Sequence, residues 1–260
     1  MKTILFTGAR SGIINKVADH IIGLDYFVYI TVHTTKELEI LSEKYENMDN
    51  VKCMKIDVTN KTDKDKLKEL DVDILVSNAA TGASGSVCEI DMNKVRRNFE
   101  INVFSNFEIV QIVLKKMIEK GHGRIIMMGS LAGTLPLPFG GSYSATKASI
   151  SRLTEALNLE LKLLEAKIDV CLIEPGLYKT GFNKLLFDQK YDDMDVNSYF
   201  DKQIELIRKS ENIFLKLFER KKLDSIVNKI IKAIVNKKVH FIYSAPFSQK
   251  LASRLYCIFR

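Results

Sequence analysis

Short apolar runs alternate with longer segments along the whole chain. Seven runs have the length of a strand and are rich in β-branched and other apolar residues: Thr3–Thr7, Tyr26–Val32, Val51–Ile56, Val72–Ser77, Arg124–Met128, Ile168–Ile173 and Val239–Tyr243. Between them, apolar residues recur at helical spacing, most clearly in Phe99–Ile118 and Ala145–Leu164. Strands joined by helix-length crossovers predict an α/β doubly wound fold, a mostly parallel sheet with helices on both faces.

The chain length agrees with one such domain. The chain has 260 residues, of which 46% are hydrophobic and 27% charged, as is usual for a globular protein. No repeat or low-complexity linker divides the sequence, so we predict a single domain, 1–260, with an elaboration at 182–222. No apolar run reaches the roughly 18 residues of a membrane span, and the apolar start leads into a glycine turn, which favours a first strand over a signal peptide.

The cysteines bear on the compartment and on metal binding. They are widely spaced and form no C-x-x-C pair: Cys53, Cys88, Cys171 and Cys257. We therefore expect neither a disulfide framework nor a metal site, and a reducing cytoplasm as the compartment.

Positive charge is concentrated at the C-terminal end. The net charge is +7, and residues 201–260 alone carry 14 basic and 5 acidic side chains. Such a segment is either a solvated lysine-rich surface or a contact for anionic lipid or a phosphorylated substrate. Nucleic acid is not expected as a partner, because no nucleic-acid-binding motif accompanies the charge.

A glycine-rich turn follows the first predicted strand, in the segment Thr7-Gly8-Ala9-Arg10-Ser11-Gly12-Ile13-Ile14. Glycines between a strand and a helix let backbone N–H groups approach a pyrophosphate, and the helix N-terminus favours its negative charge. The position of the turn in a βαβ alternation predicts a dinucleotide site.

Four polar residues further along the chain carry the strongest signal. Tyr143 and Lys147 are four residues apart, on one face of a predicted helix. Ser130 follows the strand before that helix, and Asn102 lies in the preceding helix. Together with the glycine turn, and in this order, these residues resemble the short-chain dehydrogenase/reductase family from Thr7 to about Thr180.

The resemblance implies a role for each of the four residues. Tyr143 is the expected general acid and base toward a carbonyl or alcohol oxygen. A free tyrosine, with a pKa of about 10, is a poor base at neutral pH, so Lys147 is expected to lower the pKa of Tyr143 and also to hold the nicotinamide ribose. Ser130 is expected to hydrogen-bond the substrate oxygen, and Asn102 to anchor a water relay behind the lysine.

The same resemblance implies the contacts of a nicotinamide cofactor. Asp57 and Val58 are expected at the adenine, Asn78 and Ala79 at the end of the fourth strand, and the Pro175–Thr180 stretch at the carboxamide. The expected set of cofactor-binding residues is Gly8, Arg10, Ser11, Gly12, Ile13, His33, Asp57, Val58, Asn78, Ala79, Tyr143, Lys147, Pro175, Gly176 and Thr180.

Two positions depart from the family pattern. Ile14 replaces the third glycine of the turn, and Ala80 replaces the glycine of the N-A-G segment. The third glycine permits close packing of helix and strand, so the Ile14 side chain must turn away or push the helix outward. Weaker cofactor binding is the expected cost. The alternative function is therefore that of a catalytically impaired relative, which acts as a nucleotide-sensing or regulatory protein.

The choice between the two nicotinamide cofactors depends on the end of the second strand. A carboxylate there would bond the ribose 2′-hydroxyl of NAD, but the chain continues from Val32 with His33 and then threonines. Glu37 is assigned to the next helix. With Arg10 and Lys36 within reach, we predict a neutral or basic pocket that prefers NADP(H), with NAD(H) as the other possibility. The alternative for Arg10 is a surface residue without a role in the pocket.

The C-terminal third bears on the substrate. It lacks a terminal V-D-G-G strand and is more similar to the hydroxysteroid and retinol dehydrogenase branch of the family. The elaboration carries a set of apolar residues that either cover a bulky apolar substrate or pack between helices: Phe182, Leu185, Leu186, Phe187, Tyr191, Tyr199 and Phe200.

The last residues, Pro246–Arg260, form a basic amphipathic segment. Its apolar residues recur at helical spacing, with basic residues on the other faces: Phe247, Leu251, Leu255, Ile258 and Phe259 against Lys250, Arg254 and Arg260. It either packs beside the substrate mouth or makes a peripheral contact with an anionic membrane. The resemblance also implies a homodimer, paired through the helices at Phe99–Ile118 and Ala145–Leu164.

Overall fold

The computed structural model describes residues 1–10, 12–192, 194 and 197–259. Its core is a seven-stranded sheet in which every paired strand is parallel, with the order β3-β2-β1-β4-β5-β6-β7. The strands are β1 (Lys2–Phe6), β2 (Tyr26–Val32), β3 (Val51–Lys55), β4 (Ile74–Ser77), β5 (Gly123–Met128), β6 (Ile168–Pro175) and β7 (Ile242–Ala245). The predicted doubly wound α/β fold is confirmed.

Helices connect the strands and cover both faces of the sheet. They are α1 (Gly12–Ile22), α2 (Thr35–Lys44), α3 (Lys61–Asp65), α4 (Met92–Phe99), α5 (Ser105–Lys120), α6 (Gly141–Leu163), α7 (Phe182–Asp188), α8 (Ile204–Phe218), α9 (Asp224–Val235) and α10 (Phe247–Phe259). No helix in these described ranges is long and apolar enough to cross a membrane.

Several boundaries differ from the prediction by a few residues, and two of the differences have a structural reason. The last strand begins at Ile242 rather than Val239, because it pairs with the extension of β6 to Pro175, in the register Leu172 to Ile242. The segment predicted as one helix, Phe99–Ile118, is not a single α-helix. It begins at the last residue of α4, continues through one π-helical turn, Glu100–Phe104, which contains Asn102, and then enters α5.

Alternate side chains of the strands supply two separate cores. In β1, Ile4 and Phe6 belong to one apolar cluster and Leu5 to the other. The first cluster includes the buried faces of α1 and α9, and the second includes those of α5 and α6. This packing aligns the carboxyl ends of β1, β4, β5 and β6 along one edge, where open α/β sheets bind their ligands.

Candidate active site

A cavity of about 850 Å³ opens at the carboxyl edge of the sheet. Its wall contains the predicted site residues Gly8, Arg10, Gly12, Ile13, His33, Asp57, Val58, Asn78, Ala79, Ser130, Tyr143, Lys147, Pro175, Gly176 and Thr180. Ser11 lies outside the described residues. Asn102 is described, but it does not line the cavity. The fold therefore brings together residues that are up to 172 positions apart in the sequence.

The glycine turn forms one side of the cavity. Gly8 has a φ of +64°, and a Cβ there would lie 2.7 Å from the Cα of Ala79, so only glycine fits. The backbone N–H groups of Asn78 and Ala79 donate to the Thr7 hydroxyl at 2.9 and 3.1 Å, which joins this turn to the end of β4. A Cβ at Gly12 would face Thr180 at 3.4 Å. The turn thus leaves a close backbone cradle that suits a dinucleotide phosphate.

Tyr143 and Lys147 project from the first turns of α6 into the cavity wall. The Lys147 Nζ donates to the backbone oxygen of Met128 at 2.9 Å and lies 5.7 Å from the centre of the Tyr143 ring. The Ser130 hydroxyl donates to the Pro175 oxygen at 3.3 Å and lies near enough to Tyr143 to affect its pKa. The ring of Phe182 packs 5.5 Å from the Tyr143 ring. The phenol of Tyr143, the hydroxyl of Ser130 and the amine of Lys147 thus lie in one pocket.

The pKa of Tyr143 differs from the expectation. Burial raises the pKa of Tyr143 well above its ordinary value, and the interaction with the Ser130 side chain offsets this only in part. Burial also lowers the pKa of Lys147 to about 8. The predicted net lowering of the Tyr143 pKa by Lys147 is therefore not found in this structure, because removal of the phenolate from water outweighs its stabilisation.

Asn102 lies behind the site in the π-helical turn. Its side-chain amide donates to the Thr81 oxygen at 2.9 Å, to Asn98 at 2.9 Å and to Thr146 at 3.1 Å. Its side-chain oxygen accepts from the Thr81 N–H at 2.8 Å. Both ends of the amide are thus occupied by protein groups, and the side chain joins the segment after β4 to α6. Because Thr146 is adjacent to Lys147, this contact supports the helix turn that carries the lysine.

The end of the cavity expected to bind adenosine contains more charge than the sequence indicated. Arg10 donates to Glu37 at 2.9 Å, and His33 lies 3.5 Å from Asp57. Burial raises the pKa of Glu37, but hydrogen bonds from the Thr34 N–H and Arg10 outweigh it and hold that pKa below its ordinary value. Glu37 belongs to α2, as predicted, yet its carboxylate also lines the cavity.

The prediction of a neutral or basic pocket is therefore wrong in one respect. The Glu37 carboxylate on α2 lines the cavity and is paired with Arg10, which was expected within reach of the cofactor. Lys36 is exposed and lies outside the cavity wall. The motif Thr34-x-x-Glu37 signals a capping box in the sequence, which explains a helix start but gives no sign that the carboxylate also reaches the pocket.

Ile14 is buried in the core beside the glycine turn and also lines the cavity. Its side chain is 1% exposed and packs in the core cluster with Val17 and Ala18, on the side of α1 that faces the sheet. The side chain thus packs toward the sheet while the residue still contributes to the cavity wall, and the expected cost in cofactor binding stays a prediction. Ala80 lines the cavity beside Ala79.

The elaboration contributes an apolar wall. Phe182, Leu185, Leu186 and Phe187 of α7 line the cavity, and Phe214 and Phe218 of α8 extend that wall. Of the other apolar residues singled out in the sequence, Tyr191, Tyr199 and Phe200 do not reach it. Tyr191 instead donates to Glu211 at 2.7 Å. The buried Lys190 pairs with the same carboxylate at 2.7 Å and thereby fastens the segment after α7 to α8.

Several wall residues were not identified from the sequence. Leu131, Leu135 and Leu137 lie between Ser130 and Tyr143, where an apolar loop between two candidate catalytic residues was an available signal. Gln249 and Ala252 come from α10. No local pattern pointed to Gln249, because its partners are distant in the sequence.

Comparisons with known proteins agree with this geometry. A model of the short chain dehydrogenase family matches residues 2–191. The probable short-chain type dehydrogenase/reductase VdlC of Helicobacter pylori is 32% identical over 194 residues, 71% of this chain and 68% of that protein. The NADPH-dependent 3-dehydrocapnine reductase of Ornithobacterium rhinotracheale is 25% identical, with 99% of this chain and 93% of that protein covered. The crystal structure of a short-chain dehydrogenase from Streptomyces avermitilis has the same fold, with a TM-score of 0.80, 24% identity, and 99% and 94% of the two chains covered.

Proposed function

This chain belongs to the short-chain dehydrogenase family, a family of oxidoreductases, and on that premise we propose that it interconverts a carbonyl and an alcohol with a nicotinamide cofactor. The observation that carries the proposal is the joint position of Tyr143, Ser130 and Lys147 in one cavity with the glycine cradle. When bound, the cofactor supplies or accepts the hydride. Tyr143 transfers the proton at its hydroxyl, Ser130 hydrogen-bonds the substrate oxygen, and Lys147 binds the ribose. Asn102 supports α6 from behind.

A turnover screen tests this proposal. NADPH and NADH are offered with steroid, retinal, aliphatic ketone and quinone carbonyls, and cofactor oxidation is followed by absorbance. Turnover with at least one carbonyl supports the enzyme. Cofactor binding without turnover across the panel would instead support the alternative, a nucleotide-sensing or regulatory protein.

We propose NADP(H) as the preferred cofactor, with NAD(H) as the competing choice. Arg10 lines the expected ribose end of the cavity, and a relative that this chain resembles over almost its whole length is named as NADPH-dependent. A 2′-phosphate would compete with Glu37 for the Arg10 guanidinium, whereas the ribose of NAD could hydrogen-bond the Glu37 carboxylate. The preference therefore depends on the balance of these two charges.

His33→Asp is expected to shift the ratio of kcat/KM values toward NADH by about tenfold or more. An aspartate beside Asp57 and Glu37 adds a third carboxylate to this end of the cavity, which repels a 2′-phosphate and offers a ribose acceptor. Steady-state kinetics with both cofactors measures the ratio. His33→Asn is the matched control, since it alters shape without adding charge, and an equal shift in that variant would contradict the electrostatic explanation.

We propose a bulky apolar substrate. One part of the cavity wall consists of apolar side chains from α7, α8 and the loop after Ser130. The aromatic contact between Phe182 and Tyr143 brings this wall directly beside the proposed proton donor. An apolar substrate would bury this surface on binding, whereas a small polar one would leave it in contact with water.

We also propose a homodimer, a single domain over 1–260 and a cytoplasmic location. The outer faces of α5 and α6 carry exposed apolar side chains, including Ile118, Leu153 and Leu159, which an isologous interface would cover. Light scattering is expected to give about twice the chain mass of 29.6 kDa.

Helix α10 is the candidate for a peripheral membrane contact. Its inner side places Gln249 and Ala252 in the cavity wall, while Ile258 and Phe259 are 73% and 83% exposed. Each basic residue of 201–260 that lies close to an anionic membrane surface would contribute about 1 kcal/mol to the free energy of binding to it. Packing beside the substrate mouth therefore applies to the inner face of α10, and membrane contact applies to its outer face. We propose that the outer face contacts lipid.

The double variant Ile258→Ser/Phe259→Ser is expected to lose most co-sedimentation with phosphatidylserine vesicles at low salt, while turnover of soluble ketones persists. The reason is that both side chains are exposed and lie outside the cavity wall. Leu163→Ser/Leu164→Ser at the end of α6 is the matched control, because those leucines are also exposed. Wild-type protein that fails to co-sediment would rule out the contact.

A further inference from the structure

Three segments that are distant in the sequence meet at one wall of the cavity: the loop after β6, the residues after α8 and the first turn of α10. The Arg220 N–H donates to the Leu177 oxygen at 2.9 Å, and the Lys179 N–H donates to the Arg220 oxygen at 2.9 Å. The loop after β6, which is expected to hold the cofactor carboxamide, is therefore hydrogen-bonded through its backbone to the residues that follow α8.

Gln249 of α10 closes this arrangement through its side-chain amide. The Leu177 N–H donates to the Gln249 Oε1 at 2.7 Å, and the Gln249 Nε2 donates to the Phe218 oxygen at 2.8 Å. An uncharged amide offers a donor and an acceptor on one rigid plane, and here both ends have a partner. One side chain thus links the loop after β6 to the last residue of α8.

Gly176 completes the fit. A Cβ at that position would collide with the Gln249 Oε1 and would lie 2.9 Å from the ring of Pro246. The absence of a side chain at Gly176 therefore admits the glutamine against the loop. Gln249 and Gly176 both line the cavity, so this contact belongs to its wall.

We infer that Gln249 is a positioning residue of the active site, which holds the Gly176–Leu177 backbone in place and ties the end of the apolar wall to it. This inference rests on the proposed function. It makes the C-terminal helix part of the site, although the family match ends at residue 191. We expect the two hydrogen bonds to have separate effects. The bond to Leu177 affects the affinity for the cofactor, and the bond to Phe218 affects how firmly α7 and α8 are held in place.

Two variants separate these consequences. Gln249→Leu removes both bonds at similar volume, and we expect the Kd for NADPH to rise about tenfold, with faster tryptic cleavage at lysines and arginines of 182–222. Gln249→Glu keeps an acceptor for Leu177 but opposes the Phe218 oxygen with a carboxylate. We expect it to restore the Kd for NADPH to near the wild-type value while tryptic cleavage stays fast.

The outcome is read from fluorescence titration with NADPH, the cleavage rate and the melting temperature of each variant. A general loss of packing would move the Kd of both variants together with the melting temperature, and that result would overturn the inference. Unchanged Kd and cleavage in Gln249→Leu would overturn it as well. Wild-type protein that does not bind NADPH contradicts the proposed function instead, and the cleavage rates still show whether Gln249 orders the wall.

Discussion

Tyr143→Phe is expected to lower kcat by about 10²–10⁴-fold while the Kd for NADPH and the melting temperature remain near their wild-type values. The substitution removes the hydroxyl that would transfer the proton and leaves the ring packed against Phe182. Ser130 keeps its contact with the Pro175 oxygen, so the neighbouring loop retains its support. Single-turnover kinetics with NADPH and the best carbonyl of the screen measures the loss.

Tyr26→Phe is the matched control for the tyrosine substitution. Tyr26 lies half-buried in β2, and its hydroxyl has no hydrogen bond to the part of the chain that the structure describes. Its turnover is expected to equal that of the wild type. If Tyr143→Phe also retained wild-type turnover, the proton transfer would have to belong to another group, and the proposed mechanism would be wrong.

Ile14→Gly is expected to lower the free energy of unfolding by about 3–6 kcal/mol, without tighter binding of NADPH. The side chain is fully packed in the core, so its removal leaves a cavity that costs about 2–5 kcal/mol, and glycine in a helix adds about 1 kcal/mol. Denaturant unfolding measures the first quantity and NADPH titration the second. The core packing of Ile14 favours this outcome over the tighter binding that its removal would give if the side chain crowded the dinucleotide.

The control for Ile14→Gly is Ile40→Gly in α2, where the isoleucine is 56% exposed. That variant carries the helix-propensity cost of about 1 kcal/mol with little cavity term. Equal losses of stability in the two variants would mean that Ile14 is not a core residue. Tighter NADPH binding by Ile14→Gly would mean that the side chain restricts the dinucleotide site after all.

The local pattern of the sequence was sufficient to predict the architecture and to select most of the candidate site residues that the fold brings to one cavity. Strand and helix periodicity are properties of neighbouring residues, so the alternation predicted the parallel sheet even though several boundaries moved by a few residues. The glycine turn and the Tyr143–Lys147 spacing are equally local, because four residues make one helical turn. The carboxyl edge of a parallel sheet then brings such motifs together whatever their separation along the chain.

Other features depended on contacts that no local pattern records. The direction of the Ile14 side chain follows from the space between α1 and the sheet. The charge at the end of the cavity near α2 follows from an ion pair between Arg10 and Glu37, which are 27 residues apart. Gln249 lies 72 residues from Leu177, and only the docking of α10 joins them. The raised pKa of Tyr143 is likewise a tertiary property, since burial sums over every neighbour that excludes water. The sequence alone therefore determined which residues are the candidates for the chemistry. Tertiary packing decided the pKa values of these residues, the ion pairs they form and the side chains that support them.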